Sequence, residues 1–149
     1  MVDRIDKKAV NSLIYGISAS IRKLFGGGAD AVMRIAGPYV VEEFEALGVK
    51  FEGKDPQTLS DEVKKATLEL GMCDDISIED TGDHYKILVG NCSFWEATVA
   101  LREKGISPFA CPFANLAMTV LEKNLGQKTT VEKIEPIGDR ASEILLAKV

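Results

Sequence analysis

The sequence is poor in the residues that usually carry chemistry. It has one histidine, three cysteines and one tryptophan in 149 residues. A lone histidine excludes any histidine-rich metal site. A Ser-His-Asp triad would have to use His84, and no G-x-S-x-G elbow accompanies it, so no catalytic motif is found. Three cysteines cannot all pair within the chain, which excludes a disulfide-stapled framework. Cationic excess is missing as well: Lys plus Arg number 18 against 23 for Asp plus Glu, a net charge of −5. A phosphate-tracking nucleic-acid binder needs the opposite sign. Long apolar runs are absent too. The longest stretch without Asp, Glu, Lys or Arg runs over Gly105–Leu121, and Pro108, Pro112 and Asn115 interrupt it. A membrane-spanning helix wants about 20 mostly apolar residues, so no membrane insertion is expected. The N-terminal stretch is charged and resembles no signal peptide. The expectation is a cytoplasmic protein with reduced thiols, where metal binding or burial is favoured over disulfides.

What is present is an ordinary globular composition, 46% hydrophobic and 28% charged. A chain of this size buries roughly two thirds of its unfolded surface, and no repeat or linker divides it. The expectation is one domain over 1–149.

Ile5, Ala9, Leu13, Ile17, Ile21 and Leu24 recur at helical steps, with Val10 and Ile14 widening the stripe. Tyr15, Ala19 and Phe25 carry apolar surface further round this helix, over about residues 4–25, than one packing face requires. The excess suits a dimerisation element. Gly26-Gly27-Gly28 follows a helix, not a strand, so it reads as an interhelical hinge and not a phosphate loop. Asp30 offers an N-cap for a second helix, and Gly37-Pro38 predicts a kink or a break inside it. Thr58 or Ser60 opens a third helix, which Gly71 stops. The acidic run Glu42, Glu43 and Glu45 reads as a solvated helix face.

The period then changes from 3.6 to 2. Ile76 and Ile78 alternate with polar residues, as do Tyr85, Ile87 and Val89, around the turn Asp80-Thr81-Gly82-Asp83. Matching apolar faces pairs Ile78 with Ile87 and Ile76 with Val89. The same register sets Glu79 opposite Lys86 and, extended, Cys73 opposite Cys92. A helix over 94–104 follows, then one opened by Cys111-Pro112 and closed by Gly126. Strands over 129–136 and 142–148 flank a turn at Gly138-Asp139. The order predicts an α+β fold, with N-terminal helices packed on an antiparallel sheet.

The cysteines carry the sharpest chemical signal. Cross-strand pairing brings Cys73 and Cys92 within about 5 Å between β-carbons. Cys111 stands at a helix N-terminus, which favours a thiolate. If that end abuts the hairpin, three thiolates could hold zinc (Zn2+), with water, ligand or Asp74 in the fourth position. The alternative is three small buried residues. His84 is about 26 Å along the strand from Cys92, too far to join them. Phe94, Trp95, Phe109 and Phe113 cluster around two of the cysteines, either as plain core or as the wall of an apolar ligand pocket.

Several short motifs resemble a known family. They are the glycine-rich stretch leading to Arg34-x-Ala36-Gly37 (from Phe25), Gly90-x-Cys92, Cys111-Pro112 opening a helix to Leu125-Gly126, and two closing strands. From about residue 13 onward these resemble the V4R, or 4-vinyl-reductase-like, domain, and among its members the archaeal hydrocarbon-binding proteins. That family is similar in fold to the haem-based nitric-oxide sensors and to the Bet3 subunits of the vesicle-tethering TRAPP complex. The resemblance implies a dimeric module for a hydrophobic small molecule, with metal-binding cysteines. The chain departs from it at residues 138–142, where a further family cysteine is missing. His84 is not placed as a haem ligand. Two other readings stay open: an enzyme or enzyme-accessory protein using an open zinc position, and a scaffold subunit with a helical interface and no ligand.

Overall fold

The structure is a computed structural model that describes residues 5–149; residue 4 of the expected N-terminal helix lies outside them. Asp6 starts helix α1 (Lys7–Phe25), its carboxylate accepting the Lys8 N–H at 2.7 Å. The three glycines form a 3-10 turn (Gly26–Gly28) that runs directly into α2 (Ala29–Ala46). Because this turn hands the chain on without a gap, Asp30 is not the N-cap that was expected. It lies in the first turn of α2 and pairs back with Arg22 at 3.3 Å. The kink or break predicted at Pro38 does not interrupt α2. Pro38 removes one backbone donor, but it is solvent-exposed, and buried Gly37 and Val41 hold α2 through this point.

Helix α3 (Pro56–Glu69) begins earlier than the expected Thr58, because Asp55 caps it by accepting the Thr58 N–H at 2.9 Å. The hairpin of β1 (Asp75–Asp80) and β2 (His84–Gly90) has the expected register, Ile76↔Val89, Ile78↔Ile87 and Glu79↔Lys86. Helices α4 (Trp95–Glu103) and α5 (Pro112–Leu125) follow, α5 closed by Gly126 in the left-handed region. Strands β3 (Thr129–Gly138) and β4 (Ala141–Lys148) form the second hairpin.

The fold is α+β, with an open four-stranded antiparallel sheet in the order β1-β2-β4-β3. The two hairpins join through β2 and β4. One face buries Ile76, Ile78, Tyr85, Ile87, Val89, Ile144 and Leu146. Leu59 and Val63 of α3, with Phe113, Leu116, Val120 and Leu121 of α5, belong to the same core. Ser60 accepts the Ile78 N–H at 2.8 Å, which satisfies a donor on the outer edge of β1. Of the N-terminal helices expected on the sheet, α3 packs on β1, whereas α1 and α2 pack mainly on α4 and α5 respectively. Helix α1 is fastened by buried Asn11, which donates to the Ser93 carbonyl at 2.8 Å and accepts the Ala97 N–H at 2.9 Å. Leu13, Ile17 and Leu24 of α1 point to solvent. No described helix is long and apolar enough to cross a membrane.

Candidate functional site

The first candidate is the cysteine end of the sheet. The β1–β2 ladder ends at Asp75↔Gly90, and beyond it the Ser93 N–H still donates to the Met72 carbonyl at 2.9 Å. Cys73 and Cys92, next to these residues, are both buried, and all three cysteines are free. The Cys73 thiol donates to Thr67 Oγ1 at 3.6 Å, and Cys92 Sγ accepts the Phe94 N–H at 3.3 Å. Cys111 is the N-cap residue of α5. Burial pushes all three thiols above their ordinary value, Cys92 to about 12, and both other cysteines add to the shift at Cys92. Among the described residues, no three His, Cys, Asp or Glu side chains are grouped to hold a metal ion.

Beside the cysteines, Arg140 ties the chain together. Its guanidinium donates to Asn91 Oδ1 at 3.1 Å, to the Cys92 carbonyl at 3.0 Å and to Glu96 at 2.5 Å. Asn91 in turn donates to Asp74 at 2.6 Å. Asp74, a candidate fourth ligand, joins this network through Oδ2.

The four aromatics expected to wall a pocket do not share one. Phe113 is 1% exposed in the core and packs against Phe94, ring centroids 6.0 Å apart. The crevice where Phe94 meets Cys111 has about 10 Å³, room for one water at most. Trp95 faces an outer surface shared with Arg140. Phe109 lies under the Arg22 guanidinium, 4.5 Å from its ring centre. Aromatic clustering in sequence here records the packing around the start of α5, not a cavity.

The larger cavity lies between α2 and α5. It has about 500 Å³, within the range of small-molecule sites. Pro38, Val41 and Met118 supply apolar wall, and Glu42, Glu45, Glu122 and Lys123 gather at one end. At its other end a chamber of about 140 Å³ opens toward β3, lined in part by Arg22, Asp30, Arg34, Phe109, Glu132 and Lys133. Arg34, Asn115 and Met118 border both spaces. Gly37 makes the helix contact possible, since a Cβ there would stand 2.1 Å from Thr119 Oγ1. Two signals of this site were readable in the sequence: Arg34 and Gly37 in R-x-A-G, and Asn115 interrupting an uncharged run. Their convergence depends on the pairing of α2 with α5, which no spacing encodes. The acidic run expected as a plain solvated face contributes Glu42 and Glu45 to the groove.

A family profile described as "Putative rubredoxin C-terminal domain" matches residues 10–149. A protein of Methanothermobacter thermautotrophicus named "Putative rubredoxin" is 26% identical over 124 residues, covering 81% of this chain and 62% of that protein. The chain thus spans less than two thirds of the relative's length. These matches overturn the V4R resemblance, including its hydrocarbon-binding type. The motifs that carried it are structural punctuation: Gly37 permits a close helix contact, Cys111-Pro112 opens a helix and Gly126 ends it. Any fold with such helices needs them.

Proposed function

The chain belongs to the family described as "Putative rubredoxin C-terminal domain", and from that premise we propose that it is a small-molecule-binding module of a rubredoxin-type protein. The ligand is apolar along its length and enters the groove between α2 and α5. The observation that carries this reading is the confluence of two cavities at Arg34, Asn115 and Met118. An apolar wall with a few convergent polar groups is the usual make-up of a ligand site.

The relative's name raises a four-sulfur metal centre, and the residues of this chain do not fit that kind of centre. A tetrahedral four-sulfur centre needs four thiolates around one ion. This chain has three cysteines, none in a C-x-x-C pair.

Filling the groove tests the reading. Nile red, a neutral apolar dye, is expected to brighten in the presence of the protein. A Met118→Trp variant, with its melting temperature kept, is expected to lose that signal. Equal dye binding by wild type and variant would remove the groove as the site.

Zinc at Cys73, Cys92 and Cys111 is a second reading. Its one support is that Cys92 lies near enough to both other thiols for each to raise its pKa. It requires the three side chains to turn toward a common point and lose their protons. Cobalt substitution, followed by thiolate-to-metal absorption, decides it: no charge-transfer band would end this reading. We further propose that two copies associate through the outer face of α1.

A further inference from the structure

The two ends of the groove differ in which charges are left unpaired: around the chamber Asp30 pairs with Arg22, Glu132 with His84 and Lys133 with Glu135. At one end is Arg34, an exposed residue. Its described hydrogen bond runs from Nη2 to the Thr129 carbonyl at 2.9 Å, which fixes the side chain at the junction of the two cavities. Among the described residues Arg34 makes no ion pair, whereas Arg22 and Arg140 are both paired with carboxylates. Its remaining N–H donors form the planar fork that matches a carboxylate or a phosphate. Asn115 borders the same junction and is 5% exposed. Its Nδ2 donates to the Cys111 carbonyl at 3.0 Å, which sets the orientation of the amide.

The other end is acidic. Glu45 is neutralised by Lys123 at 2.5 Å, but Glu42 and Glu122 make no ion pair among the described residues. Eight helical residues separate Arg34 from Glu42, about 12 Å along α2. The wall between them is supplied by Pro38, Val41 and Met118.

We propose that the ligand is a straight-chain amphiphile with a single anionic head, the head held by Arg34 at the cavity junction and the tail lying between α2 and α5 toward Glu42 and Glu122. This deepens the groove reading and rests on it. The unpaired cation selects the head. The apolar wall takes the chain, and the acidic end rejects a second anionic group at the tail, as specificity by repulsion requires.

Calorimetric titration of the full chain with decanoate, decanol and decanedioate separates the parts of the proposal. Decanoate is expected to bind tighter than decanol by about tenfold or more, the scale of a charge-assisted hydrogen bond. Decanedioate is expected to bind more weakly than decanoate. Arg34→Gln should bring the ratio of decanoate to decanol affinity down to about one, and Arg34→Lys should recover part of that ratio. Glu42→Gln should raise decanedioate affinity selectively. Decyl phosphate, run in parallel, tells whether the head is a phosphate or a carboxylate. Decanol and decanoate binding equally well, or a preference that survives Arg34→Gln, would overturn the anionic head but leave the groove. Failure of every chain, with Nile red unbound, would remove the groove reading itself.

Discussion

Cys92 and Arg140 clasp one another through two hydrogen bonds. The Cys92 N–H donates to the Arg140 carbonyl at 2.8 Å, and the Arg140 guanidinium donates to the Cys92 carbonyl at 3.0 Å. The β3–β4 turn is thereby fastened to the open end of the β1–β2 hairpin. Arg140 adopts a φ of 55° there, an uncommon conformation for a non-glycine residue. Replacing Arg140 by Ala is expected to lower stability by about 1–2 kcal/mol, most of it from the lost bond to the Cys92 carbonyl. Glu96→Ala is expected to cost less, since an exposed ion pair contributes little. Urea unfolding of both variants checks this, and equal midpoints for wild type and Arg140→Ala would show that the clasp is passive.

The buried thiol gives the protein an alkaline weakness. Burial raises the Cys92 thiol from an ordinary 9.0 to about 12. Below the lower value the thiol is protonated in both folded and unfolded chains, and its contribution is fully present. Between the two values the unfolded chain releases the proton while the folded chain keeps it, so stability falls as pH rises. One such group gives a slope of at most about 1.4 kcal/mol per pH unit. Urea midpoints for wild type and Cys92→Ala, measured from about pH 8 to pH 11, should diverge in slope with the variant the flatter. Parallel curves would mean that the thiol ionises as easily folded as unfolded.

Gly37 sets how closely α2 approaches α5. An added Cβ would stand 2.1 Å from Thr119 Oγ1 and 3.3 Å from the Asn115 carbonyl. Gly37→Ala is therefore expected to destabilise by about 1–3 kcal/mol through overpacking, despite the roughly 1 kcal/mol that alanine gains in helix propensity. Adding Thr119→Ala removes the nearer atom and should recover most of the loss. Chemical denaturation of the single and double variants measures it. A Gly37→Ala protein as stable as wild type would mean that the helices part without cost.

How much of this was legible depended on how local each signal is. The pairing of Ile78 with Ile87 followed from period-2 alternation and a turn, because a slip of one residue would expose every apolar side chain. Gly126 and Cys111-Pro112 bounded α5 correctly, since helix ends are written in a few neighbouring residues. The contact between β2 and β4 was not legible, as nothing in either hairpin names its neighbour. Adjacency in sequence likewise cannot tell Phe113, 1% exposed in the core, from Trp95, half-buried against the core and bordering an outer crevice with Arg140. Arg34 and Asn115 are 81 positions apart and meet only because α2 lies on α5.

The outer face of α1 yields the last prediction. The apolar band expected along this helix is present, but packing takes up its other side. Asn11 and Ser18 are the buried positions, while Leu13 is 64%, Ile17 60% and Leu24 77% exposed. Such a stripe must otherwise face water along three turns, an arrangement that a second copy relieves, and a two-fold pair is the commonest closed assembly. Because Ile17 lies outside the core, Ile17→Asp should leave the fold intact and yield a monomer, read by light scattering with circular dichroism unchanged. Asn11→Ala does the reverse. It cuts the bonds to Ser93 and Ala97 that fasten α1 to the body, and should lower stability by about 1–3 kcal/mol. A wild type that stays monomeric at high micromolar concentration ends the proposal, and an Ile17→Asp chain that unfolds would return the helix to the core.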